Sequence, residues 1–159
     1  MPILKIILIC TLALIFYQDL KERQVYWFLF PLFAACSAVL FYTSTIPELF
    51  YVSVGMNIIC ISILLLIVFL YSRLKLKTTF YKTIGLGDVL LFVGLVFSFS
   101  TISFLVIFVF SLLFALVSHL LVKQYSKFHT VPLAGYISLF YGIAYISYWT
   151  GLTPSLYAF

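Results

Sequence analysis

Acidic side chains are nearly missing from this sequence: Asp19, Asp88, Glu22 and Glu48 are all it holds. Charged residues of both signs make up 8%, against roughly 25% in an ordinary soluble domain. A chain this poor in charge cannot clothe its own surface in polar groups, so lipid is the expected solvent. Cysteine is scarce too. Cys10, Cys36 and Cys60 lie inside apolar stretches and no two form a CxxC, which argues against a zinc site or a disulfide framework. There is no GxSxG, and the serines are scattered through apolar segments, where they commonly bond helix to helix. No metal and no cofactor is expected.

What the sequence has is apolar length: 65% hydrophobic residues over 159 positions, with a mean hydropathy of +1.26. In a bilayer every backbone polar group needs an internal partner, which leaves helical bundles or closed barrels. The apolar runs are continuous rather than alternating, and so favour helices. The expectation is an all-α integral membrane protein, one domain over 1–159, built as a bundle of six transmembrane helices near 3–17, 25–42, 49–71, 88–97, 104–122 and 131–149. The first segment resembles a signal-peptide core, but no small-x-small site follows it. It reads as a retained span with Lys5 snorkelling to the interface. Between the spans, residues 19–24 read as a charged turn, 72–84 as the longest loop, 98–103 as a polar turn and 123–130 as a basic loop.

The net charge of +5 comes from nine Lys/Arg against four acids. Lys21 and Arg23 follow the first span, Arg73, Lys75, Lys77 and Lys82 the third, and Lys123 and Lys127 the fifth; Lys5 alone lies elsewhere. By the positive-inside rule these loops are cytoplasmic and both termini lie outside. The same distribution explains the net charge without nucleic acid, and no nucleic-acid partner is expected.

Asp19 then ends a helix running inward and Asp88 begins one running outward, at the same depth. Carboxylates at the membrane are costly and are functional candidates by default. If helices one and four pack side by side, the two face each other. Such a pair holds one proton between its members, giving a base to activate water and an acid to protonate a carbonyl oxygen. Gly85 and Gly87 before it suit close approach of a substrate backbone and unusual backbone angles. The same residues also have an ordinary reading: Asp88 as a helix cap, and Asp19 as a juxtamembrane charge paired with Lys21 or Arg23. His119 and His129 read as interfacial groups, and Tyr42, Tyr71, Tyr148 and Trp149 as an aromatic belt. Ser53 and Asn57 read as bonds between helices, and the stripe Gly135, Ser138, Gly142, Tyr145 as a packing face.

Three stretches resemble the type IV prepilin peptidases, the GxGD class of membrane-edge aspartyl proteases. Residues 19–25, DLKERQV, resemble that family's D-x-x-x-R-x-I segment. Residues 85–89, GLGDV, resemble its GxGD segment, and 131–135, VPLAG, its late PFGP segment. Order and spacing cover nearly the whole chain. The resemblance implies that Asp19 and Asp88 are the catalytic pair, with Gly85, Gly87, Lys21, Arg23, Pro132 and Gly135 as supporting residues near the substrate. It also implies a prokaryotic plasma-membrane enzyme whose partner is a prepilin-like protein with an apolar leader helix, cut at the cytoplasmic face. Tyr26-Trp27 stand where the family has Pro-Asn, Leu90 where it has Lys, and Leu133-Ala134 where it has Phe-Gly. The cysteine-rich insertion of the long bifunctional members is absent, so no N-methyltransferase activity is expected. The compact form is similar to the archaeal preflagellin peptidases.

Two other readings stay open. A divergent, non-catalytic membrane component of a pilus or secretion system would account for the departures from the motifs. A small transporter would use the acids as a proton relay, but it would place a charge near the midplane, where the sequence has none.

Overall fold

The computed structural model of the chain describes residues 1–76 (the last two as backbone), 85–122, 131–153 and 156–157. Six α-helices and no strand occur among them: α1 Pro2–Glu22, α2 Leu29–Ser44, α3 Pro47–Tyr71, α4 Leu86–Leu95, α5 Thr101–Val122 and α6 Leu133–Trp149. A π-helical turn, Ser72–Leu76, continues α3. Three stretches, Pro2–Glu22, Pro47–Leu74 and Thr101–Val122, are long and apolar enough to cross a membrane. The α2 and α4 helices are shorter apolar elements. The loop at 77–84 and the basic loop at 123–130, with His129, lie outside the described residues.

The boundaries differ from expectation where charge was taken for a turn. Residues 19–22 are helical, and α1 ends only at Arg23, whose φ of 56° is left-handed. Leu20, Lys21 and Glu22 are good helix formers, and nothing in the segment breaks the backbone ladder earlier. The second helix starts four residues later than expected, after an irregular link in which Tyr26 N–H donates to the Gln18 side chain at 3.1 Å. Asp88 is the third residue of its helix rather than the first. The polar turn before α5 spans 96–100, because Thr101, Ile102 and Ser103 already belong to the helix.

α1 and α6 run antiparallel and form the most extensive pairing in the bundle. At one end Lys5 lies 5.0 Å over the Trp149 ring. At the other, Asp19 meets Gly135. α1 also packs on α2, α2 on α4, and α5 on α6. The α2–α4 contact is close at Gly94, where a Cβ would stand 3.1 Å from Phe33; one at Gly87 would make an ordinary 3.5 Å contact with Phe30. Small residues permit such approach between apolar helices.

α3 inverts the arrangement of a water-soluble helix. Its buried positions are Ser53, Asn57 and Ile61, one face at a spacing of four. Its outward side carries Ile59, Ile63, Leu66 and Ile67, all exposed. A face of that kind is stable against hydrocarbon, not water.

The break between α4 and α5 is buried, so its free carbonyls need partners. Asn57 supplies two, its Nδ2 donating to Val96 O and Phe99 O at 3.0 Å each. Tyr145 donates to Ser98 O at 3.4 Å. Asn57 thus bonds helix to helix as expected. Of the stripe on α6, Gly135, Ser138 and Tyr145 are buried, but a Cβ at Gly142 would meet nothing within 4 Å, so Gly142 is not a packing glycine.

Candidate active site

The site is assembled at the start of α6. Pro132 caps this helix, with φ −77°, and its carbonyl accepts from Tyr136 N–H at 3.2 Å. The first amides of any helix have no partner within it. Here two of them are taken by carboxylates from elsewhere in the chain. Ala134 N–H donates to Asp88 Oδ1 at 2.8 Å, and Gly135 N–H donates to Asp19 Oδ2 at 2.6 Å. The donors belong to consecutive residues, whose Cα atoms stand about 3.8 Å apart. The positive end of the α6 dipole adds to the attraction.

This arrangement corrects the expected route to the pair. α1 and α4 have at most marginal contact; the substantial partners of α4 are α2, α6 and α3. The two carboxylates converge because each reaches α6, not because their own helices pack together. Sequence reading missed Ala134 as a donor. Its signal was Pro132 at the start of an apolar segment, the pattern of a helix N-terminus with free amides.

Asp19 is buried, at 8% exposure, and Asp88 is half-buried. The charge of Asp19 is felt at Asp88, and the charge of Arg23 is felt at both. Arg23 therefore belongs to the electrostatic surroundings of the pair. Its left-handed backbone turns the chain out of α1 one helical turn after Asp19.

Gly135 is a contact glycine. A Cβ there would lie 3.1 Å from Asp19 Oδ2, 3.2 Å from Asp19 Cβ and 3.5 Å from Phe16 O. Gly85 is the residue before α4, with extended backbone (φ −64°, ψ 145°), and a Cβ on it would lie 3.2 Å from Asp88 Oδ2. Gly85 O accepts from Asp88 N–H and Val89 N–H at 3.1 and 3.3 Å. The expectation of unusual backbone angles at Gly85 and Gly87 is corrected: neither has a positive φ. Gly87 faces the Phe30 ring. Lys21 is also removed from the pair. It is exposed, its Nζ donates to Tyr17 OH at 3.3 Å, and it lies 5.4 Å over the Tyr17 ring.

Asp19 accepts from one amide, that of Gly135, whereas Asp88 accepts from two, those of Ala134 and Gly85. Compared with protein-family models, with curated proteins and with solved structures, the chain finds no match.

Proposed function

We propose that the chain is a membrane aspartyl endopeptidase that removes the leader of prepilin-like proteins at the cytoplasmic face of a prokaryotic plasma membrane. In this reading all six helices cross the membrane, both termini lie outside, and the Lys/Arg-bearing loops are cytoplasmic. The observation that supports it is the convergence of Asp19 and Asp88 on the consecutive amides of Ala134 and Gly135.

The chemistry needs neither metal nor covalent intermediate. The ionised carboxylate takes a proton from water as the water oxygen attacks the scissile carbonyl. The protonated carboxyl gives its proton to the carbonyl oxygen. Collapse of the tetrahedral intermediate expels the amine, which leaves with a proton returned from the pair. The apolar leader helix would lie against the bundle in lipid and deliver its scissile bond to the membrane edge, while the basic loops bind anionic headgroups.

A second reading has its own support. The two hydrogen bonds to α6 also fasten three parts of the bundle together, as a non-catalytic membrane component would need. Asparagine at either position distinguishes the two, because its Oδ1 still accepts the amide proton but neither takes nor gives one. The test is cleavage of a prepilin-like leader by purified Asp19→Asn and Asp88→Asn in lipid. Loss of cleavage with normal folding supports the peptidase. Full cleavage by either variant ends the paired-carboxylate reading.

A further inference from the structure

We propose that the α4–α5 break holds an internal water site walled by Asn57, Ser98, Tyr141 and Tyr157. Four polar atoms of residues around this turn, Asn57 Oδ1, Ser98 Oγ, Tyr141 OH and Tyr157 OH, are buried and have no hydrogen-bond partner among the described residues. Their residues are 0%, 0%, 0% and 3% exposed. Buried polar atoms are nearly always paired, and a cluster of orphans marks a bound molecule.

The four surround one turn. The Phe99 ring has Tyr141, Tyr145 and Tyr157 about it, with centroids at 5.8, 4.7 and 6.0 Å. Asn57 reaches Phe99 O, and Tyr145 reaches Ser98 O. Asn57 commits both its N–H groups to Val96 O and Phe99 O, so only an acceptor remains on it. Along α6, Tyr141 and Tyr145 stand about 9–15 Å from Gly135, well inside the bundle.

The donor set selects the occupant. Three hydroxyls can each donate and accept, and one amide oxygen accepts. A water molecule needs two to four such partners, of both kinds. A cation would find no countercharge among these residues and would bear the full cost of leaving water.

The test uses the full chain in lipid nanodiscs. X-ray radiolytic labelling in H2(18)O detects ordered water beside a side chain. Corrected for the intrinsic reactivity of each residue type, Tyr141 at 0% exposure and Tyr157 at 3% should label several-fold faster than Phe33 and Phe104, both at 0%. Tyr141→Phe and Tyr157→Phe should each lower the melting temperature by about 2–4 °C, the shift one lost hydrogen bond gives in a chain of this size. A dry cluster gives the opposite sign, since removing an unpartnered buried hydroxyl stabilises. Labelling no faster than at Phe33, or phenylalanine variants that melt at or above the wild type, overturns the proposal. The labelling of the wild-type chain decides the matter even where a variant fails to fold.

Discussion

Asp19 and Asp88, far apart in sequence and on helices that scarcely touch, accept from neighbouring amides of a third helix. The relationship makes α6 the ruler of the site. A shift of α6 along its axis moves both carboxylates' partners together, whereas a shift of α1 or α4 alone breaks one bond and keeps the other. Whatever chemistry the pair performs depends on the α1–α6 and α4–α6 contacts more than on any direct contact between α1 and α4.

Asp19→Asn and Asp88→Asn should each reduce leader cleavage by about 10²–10⁴-fold, the range that a positioned acid or base contributes. Asp19→Asn should change melting little, because its Oδ1 still accepts from Gly135, whereas Asp88→Asn keeps an acceptor for only one of the two amides, Ala134 and Gly85, and should melt lower. Alanine at either position removes the acceptor as well and should lower stability by about 1–3 kcal/mol. Cleavage rates and thermal melts on the same preparations check both halves.

Gly135→Ala should lose cleavage, because the new methyl would stand 3.1 Å from Asp19 Oδ2 with helix backbone behind it. Gly142→Ala is its control on the same helix. It meets nothing within 4 Å and should stabilise by about 0.5–1 kcal/mol through helix propensity alone. Equal behaviour of the two variants in a cleavage assay would contradict the close approach of α1 and α6.

The number and order of helices were legible because continuous apolar runs separated by charge or proline have few alternatives in a bilayer. Asp19 and Asp88 were legible as candidates because so few acids exist. Their meeting point was not. The periodicity of α6 marks an inward face but not which side chains reach its first amides, and a carboxylate at a helix start looks the same in sequence whether it caps its own helix or another. The helical state of residues 19–22 was missed because charge was weighed above propensity. Gly142 was misread for a related reason: a glycine in the sequence does not say whether a neighbour lies close.

Arg23 is held at φ 56°, which costs a side-chain-bearing residue roughly 1–2 kcal/mol. Arg23→Gly relieves that strain and removes the charge felt by both carboxylates. Cleavage should fall roughly tenfold, the effect of one nearby unit charge. Arg23→Lys keeps charge and strain and should retain most activity. A cleavage loss matched by lysine would mean that the guanidinium geometry, not the charge, is what matters.

Gly94→Ala should destabilise by about 1–3 kcal/mol through overpacking, since its methyl would meet the fully buried Phe33 ring at 3.1 Å. At Gly87 the nearest atom to a methyl is Phe30 Cζ, at an ordinary 3.5 Å. Gly87→Ala should therefore leave both melting and cleavage near wild type. A selective loss of cleavage in Gly87→Ala would return this glycine to the path of the substrate.

Asn57→Leu tests how the helix that carries Asp88 is held at its far end. Leucine matches asparagine in size but donates nothing, so Val96 O and Phe99 O are left buried without their donor. Each orphaned carbonyl costs about 1–3 kcal/mol, which predicts a loss of about 2–6 kcal/mol. Asn57→Asp should do worse, because a carboxylate would face two carbonyl oxygens inside the bundle. The α4 helix is only ten residues long, too short to be held by its own ladder. Its position rests on Phe30 and Phe33 along its side, on Ala134 at one end and on Asn57 at the other. Loosening the Asn57 end should lower cleavage as well as stability, and raising the lipid-to-protein ratio or lowering the temperature should recover the fold before it recovers the rate. Equal recovery of both would mean that Asn57 serves only the stability of the bundle.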